Sequence, residues 1–299
     1  MGTLHTGRAA FYYLFALTVS AVAVISANHI LQLGLPFSVH FLIGYVGALL
    51  IFVGWHAVLT KGWKRSGLMF LASFIIAFIA EALGVNFGWI FGNYHYTPIL
   101  GIQVFGVPFL AALAWEPILY AAFCITDILA PNLEGKRLSW LRCIPVYLWL
   151  STVGALATTA WDMMIDPIAV SQGWWVWHDG GAYMPYLANG VPVQNFIGWL
   201  GVSFTINLIY RFILNGRQPL QKTRFLGIHG PLTLYASLFL TSAGVSITVL
   251  QRNEVALVGA MAMAPFLAIA GSNLSLLRRG WNVMPGSGMT GTTNLRDHT

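Results

Sequence analysis

Apolar runs of about 20 residues recur along this chain almost without charge, and that recurrence restricts the possible folds more than any motif. A helix rises 1.5 Å per residue, so each run matches a hydrocarbon core about 30 Å thick. Eight runs can be read, at residues 10–31, 38–60, 67–90, 106–130, 143–165, 192–214, 230–250 and 255–277. Of 299 residues, 57% are hydrophobic and 8% charged, whereas a soluble domain carries about a quarter charged residues. The predicted fold is therefore an all-α integral membrane protein of about eight transmembrane helices. Residues 1–281 form a single polytopic transmembrane domain, and 282–299 a flexible cytoplasmic tail rich in Gly, Ser and Thr. The first run is long enough to span, which predicts an anchored segment rather than a cleaved leader.

The few charges orient the chain. Arg8, Lys61, Lys64, Arg65, Lys136, Arg137, Arg142, Arg211, Arg217, Lys222, Arg224, Arg278, Arg279 and Arg296 all fall on one side of an eight-span topology, leaving only Arg252 opposite. The positive-inside rule then places both termini in the cytoplasm of a multi-pass cell-membrane protein. The net charge of +6 follows from those loops and does not call for nucleic acid. Cys124 and Cys143 lie near the predicted cytoplasmic side, where a structural disulfide is not expected.

Two long loops, about 91–105 and 166–191, fall on the other side, and they resemble each other. Gly92-Asn-Tyr94-His-Tyr96 precedes Val107-Pro108 and Trp115, and Gly181-Ala-Tyr183 precedes Val191-Pro192 and Trp199. Each tryptophan comes eight residues after its valine. Spans 3–4 and 5–6 thus read as a weak internal repeat, an arrangement that often places a site at the repeat interface.

Nine acidic residues can each be placed. Glu134, Glu254 and Asp297 belong to loops or the tail, and Asp127 closes span 4 near the cytoplasm. Glu81 lies in the outer half of span 3 and Glu116 farther into span 4, while Asp162 and Asp166 are one helical turn apart near the outer end of span 5. Asp179 and His178 sit in the second loop, and His29 and His40 end spans 1 and 2 at the interface. A charge deep in a span costs about 2.5–3.5 kcal/mol on insertion scales and usually marks a site or an internal pair. With no lysine or arginine nearby, these carboxyls either share protons or line a wet cavity, and a carboxyl that keeps its proton is what a general acid requires. The bland readings are an interfacial helix end at Asp166-Pro167, a proline-loosened turn at Glu116-Pro117 and an aromatic belt.

Other chemistries lack their signatures. The chain has no clustered histidine boxes for a di-iron centre, no P-loop, and no Gly-rich turn after a strand for a dinucleotide. Asp162 and Asp166 have the spacing of a magnesium-diphosphate site, but the basic partners such a substrate needs lie across the membrane. Neither a metal nor a cofactor is predicted.

Taken together, Glu81-x-x-Gly84, Gly92-x-Tyr94-x-Tyr96, Trp161-Asp162-x-x-x-Asp166-Pro167, Trp175-x-Trp177 and Asn195-Phe196-x-Gly198-Trp199 resemble the CruF-type carotenoid biosynthesis proteins, which are integral-membrane carotenoid 1,2-hydratases. By motif the resemblance covers residues 67–215. In that family a tyrosine runs almost directly into Gly-Val-Pro. Here Met184–Asn189 intervenes, so Tyr183 or Tyr186 fills the place. The resemblance implies cofactor-independent addition of water across the terminal C1=C2 double bond of an acyclic carotenoid end, of lycopene or γ-carotene type. Asp162 or Asp166 would give the proton, and Glu81 would activate the water. Glu116, Tyr94, Tyr96, Trp115, Trp161, Trp175, Trp177, Tyr183, Asn195 and Trp199 would bind substrate. Partners would be the carotenoid, membrane lipid and other enzymes of the carotenoid pathway. A lipid or solute transporter, a carotene-binding protein and a carotene cyclase are the competing readings, and pigment mass separates them.

Overall fold

The computed structural model describes residues 9–10, 12–21, 23–24, 39–129, 140–179, 182–183, 190–214 and 224–283. Within them are α1 (Tyr12–Ala21), α2 (Val39–Lys61), α3 (Trp63–Phe87), α4 (Phe109–Leu129), α5 (Trp140–Ser171), α6 (Val193–Leu214), α7 (Arg224–Thr248) and α8 (Asn253–Val283). Helices α2 to α8 are each long and apolar enough to cross a membrane, while α1 is shorter. The fold is all-α and multi-span. The rest of the first expected span, His29, the side chain of His40, Tyr186 and residues 284–299 of the tail lie outside the described residues, while 282–283 continue α8.

Helix α4 is the central element. Every residue from Trp115 to Thr126 is buried, and a helix apolar all round belongs inside a bundle. It packs against α2, α3, α5, α7 and α8, while α5 lies along α6. At one end Asp127 of α4 accepts hydrogen bonds from Lys61 at 3.3 Å and from Arg211 of α6. The Arg211 guanidinium also donates to Thr126 and lies 4.0 Å from the Phe123 ring centroid. These contacts fasten three helices where their apolar stripes end.

At the other end the two long loops meet. Strand β1 (Asn93–Tyr96) pairs antiparallel with β4 (Trp175–Asp179), with Tyr94 opposite Trp177 and Tyr96 opposite Trp175. Short strands β2 (Gln103–Val104) and β3 (Val107–Pro108) form a hairpin in the first loop. In the second loop Tyr183 bridges Pro192, as Gln103 pairs with Pro108. The Val-Pro segments of the two repeats are thus each held by an antiparallel partner.

One boundary differs from the sequence expectation. Helix α5 runs through Asp166-Pro167 to Ser171, so the second loop begins at Gln172. A proline within a helix loses its own N–H bond and crowds the carbonyl four residues back, yet the helix continues past Pro167 and its last turn closes with Ser171 Oγ donating to the Pro167 carbonyl at 2.7 Å. Asp166 therefore stands on a helix face and not at a frayed end.

Candidate active site

Helix α3 stops where it must for its loop to turn back over the bundle. Gly88 adopts a left-handed φ of 68°, and its N–H and that of Trp89 bond the carbonyls of Gly84 and Leu83, a double closure that glycine makes without steric cost. The returning strand lays Tyr94 directly on α3. A Cβ at Gly84 would come within 2.9 Å of the Tyr94 ring, and one at Gly198 within 2.6 Å of the Ile90 carbonyl. These close approaches explain why glycine recurs in two of the sequence motifs.

Beneath the β1–β4 ribbon lies a mostly apolar cavity of about 920 Å³, counting its open mouth. Its polar lining is Glu81, Asp166 and Asn195, accompanied by Phe91, Tyr94, Tyr96 and six tryptophans. Its aliphatic lining includes Leu42, Val46 and Leu49 from α2, Leu110 and Ala111 from α4, and Leu238 from α7. Tyr45 lines this wall and donates to Thr241 at 3.2 Å.

Glu81 is buried and accepts three neutral donors. Tyr94 and Tyr96 donate from their hydroxyls to Oε2, the latter at 2.8 Å, and Trp115 Nε1 donates to Oε1 at 2.9 Å. Burial first, and the Glu81 carboxylate second, push both phenols well above their usual range, so they remain donors. Three neutral donors thus converge on one buried carboxyl.

Asp162 and Asp166 differ from this. The Asn195 amide nitrogen donates to Oδ2 of both, at 3.1 Å to Asp162 and more closely to Asp166. Asp166 faces the cavity, whereas Asp162 is fully buried behind it, with Oδ1 lacking a hydrogen-bond partner. None of the described ion pairs reaches Glu81, Asp162 or Asp166.

The aromatic wall is continuous. Trp115 and Trp199 stack with centroids 3.7 Å apart and planes 10° apart, so the tryptophans at equivalent places in the two repeats meet face to face. Trp161 packs edge-on against Trp199, and Phe91 leans on Trp115. Trp175 meets the Tyr96 ring edge-on, and Trp177 tilts over Tyr94.

The structure thus gathers Glu81, Tyr94, Tyr96, Trp115, Trp161, Asp166, Trp175, Trp177, Asn195 and Trp199 around one space. Glu116 does not line it, although its neighbour Pro117 does; the Glu116 carboxyl takes bonds from Ser73 and from Tyr210 at 3.5 Å. Tyr183 is 41% exposed and away from the cavity. Sequence reasoning did not select Phe91, Trp174 or the α2 wall. Trp174 stood beside a chosen tryptophan, while nothing in an ordinary apolar run distinguishes Tyr45 or Leu49. Among the described residues, no three His, Cys, Asp or Glu side chains cluster as metal ligands would.

The carotenoid biosynthesis protein family matches residues 37–265 of this chain. A curated relative, bisanhydrobacterioruberin hydratase of Haloarcula japonica, is 29% identical over 150 residues, covering 50% of this chain and 46% of the relative. The match therefore spans about half the length of that relative. No solved structure matches.

Proposed function

The chain belongs to the carotenoid biosynthesis protein family, and from that premise we propose that it adds water across the terminal C1=C2 double bond of an acyclic carotenoid end. The observation that carries the reading is the placing of two unlike carboxyl environments, Glu81 and the Asp162–Asp166 pair, on one aromatic cavity. The name of the Haloarcula relative is in keeping with it.

In this reading the two aspartates, joined by one amide and without a cation, hold a proton between them, since like charges so close do not both ionise. Asp166, the member facing the cavity, gives that proton to C2. The π electrons form the new C–H bond and leave a tertiary cation at C1. The faces of the surrounding indoles stabilise it, each by about 2 kcal/mol where water is excluded. Water attacks C1, and Glu81 accepts the proton that the water loses. Return of that proton to the aspartate pair restores the enzyme, and the net change is one added water. The polyene lies along the aliphatic lining, and the β1–β4 ribbon faces the non-cytoplasmic side.

Co-expression with an acyclic carotene pathway, followed by pigment mass analysis, tests the reading. The expected product has gained one water; an unchanged mass with a new ring indicates a cyclase, and an unchanged pigment a binding protein or transporter. Purified protein should also work anaerobically, placing label from ¹⁸O-labelled water in the hydroxyl and one deuterium from D₂O at C2. Oxygen drawn from O₂ would overturn it.

A further inference from the structure

When a hydrocarbon fills the cavity, its open mouth no longer supplies water to the carboxyls. Behind the carboxyls, the interface between α5 and α6 carries a polar line of its own. On α5, Ser151, Gly154, Thr158 and Asp162 recur at steps of three and four, so they share one stripe. On α6, Ser203 and Asn207 stand four apart. The helices are antiparallel, with Asn195 reaching Asp162 at one level and Asn207 lying against Gly154 at another, where an added Cβ would meet its side-chain oxygen at 2.5 Å. Along α6 those levels are roughly 18 Å apart.

Four buried oxygens of these two helices have no hydrogen-bond partner among the described residues: Asp162 Oδ1, Ser203 Oγ, Asn207 Oδ1 and Ser151 Oγ. All four residues are 0% exposed. The neighbouring donors are already committed to their own helices, Thr158 to the Gly154 carbonyl and Asn207 Nδ2 to the Ser203 carbonyl, each at 2.9 Å. Buried polar atoms in folded proteins are satisfied by protein or by ordered water, and leaving one bare costs several kcal/mol in hydrocarbon. Scattered orphans would suggest unrelated local accidents. By helical spacing these four fall on one stripe of α5 and one of α6, and the α5 stripe leads to the back of the carboxyl pair. One water joins oxygens up to about 5.5 Å apart, twice an O–H···O separation of ~2.7 Å, which is close to the rise between successive positions on a stripe.

We propose that a file of bound water occupies the α5–α6 seam from Ser151 to Asp162 and keeps the Asp162–Asp166 pair in proton exchange while substrate blocks the cavity. The ligand is water itself, held by hydroxyl, amide and carboxyl oxygens. The second half of the proposal rests on the hydratase reading, and the first half does not.

An experimental structure at a resolution that shows solvent is the direct measurement. Ordered waters within hydrogen-bond distance of Asp162 Oδ1, Ser203 Oγ, Asn207 Oδ1 and Ser151 Oγ are expected. A dry seam in which these groups turn to pair with one another would overturn the file, whatever the protein catalyses. The role is tested with Ser203→Val and the smaller Ser203→Ala, each checked for an unchanged unfolding temperature. Either folded variant should lower kcat about tenfold at unchanged KM and enlarge the solvent deuterium isotope effect on kcat. A purely structural serine would leave that isotope effect unaltered, and this result would overturn the exchange role even if the waters were seen. Because the solvent structure needs no activity, failure of the water file and failure of the hydratase reading are distinguishable.

Discussion

Trp115 of α4 donates its indole N–H to Glu81 of α3 across 2.9 Å while its ring stacks on Trp199. One side chain thus fixes the carboxylate and forms the aromatic wall, so neither can shift without the other.

Replacing Glu81 with Gln keeps the shape but removes the proton acceptor, and turnover should fall by 100-fold or more, the usual weight of a general base. Trp115→Phe keeps a ring and loses the donor. Hydrogen bonds to charged groups contribute about 1.5–3 kcal/mol, so a loss of roughly 10- to 100-fold is expected. Initial rates of hydrated-pigment formation check both, and wild-type rates in Glu81→Gln would remove it from the mechanism.

The aspartates should not be equivalent. Asp166 faces the cavity and Asp162 stands behind it, so Asp166→Asn should lower turnover by 100-fold or more, and Asp162→Asn by about tenfold. If the order is reversed in the same rate assay, Asp162 and not its neighbour delivers the proton.

Adding a methyl at Gly198 puts a carbon 2.6 Å from the Ile90 carbonyl and 2.7 Å from the Phe91 ring. Gly198→Ala should destabilise by about 1–3 kcal/mol, as overpacked sites do, and should displace the loop that carries Phe91 and Tyr94. Thermal unfolding in detergent together with the rate assay reads both effects. An unchanged melting temperature with full activity would show that the loop yields freely.

At the opposite end of the bundle, Asp127→Ala strands the buried Arg211 and should cost about 3–5 kcal/mol. The double variant Asp127→Leu with Arg211→Met should recover much of that loss. Unfolding measurements on Asp127→Leu, Arg211→Met and the double variant give the coupling, and additive losses would mean that the pair is not a unit.

For topology, single cysteines at Ile102 and Gln172, in a background with Cys124 and Cys143 replaced by Ser, should react with an impermeant thiol reagent in intact cells. A cysteine at Gly135 should be protected. The opposite pattern would invert the chain in the membrane.

Hydropathy alone located the seven spans α2 to α8, because a bilayer requires the same length and composition of each. The repeated Val-Pro and Trp spacing pointed to a site between repeats, and Trp115 on Trp199 is its physical form. What could not be read came from distant pairing. The four residues Asn93–Tyr96 carry no strand signal of their own, and their partners lie some eighty positions on, so β1–β4 emerges only with the tertiary fold. The spacing of Asp162 and Asp166 put them on one face, yet only the tertiary packing around α5 brings Asp166, and not Asp162, to the cavity. Glu116 seemed to share the site because it is acidic and deep, but the rotation of α4 turns it toward Ser73 and Tyr210.

The register of β1 on β4 also constrains how this chain can change in length. Tyr94 and Tyr96 face the cavity while His95, between them, is exposed and stacks on His178. Because side chains alternate along a strand, a slip of one residue would send both tyrosines outward and bring an imidazole in. Insertions or deletions within Asn93–Tyr96 or Trp175–Asp179 would therefore be eliminated by selection, whereas those beyond the strands leave the pairing intact.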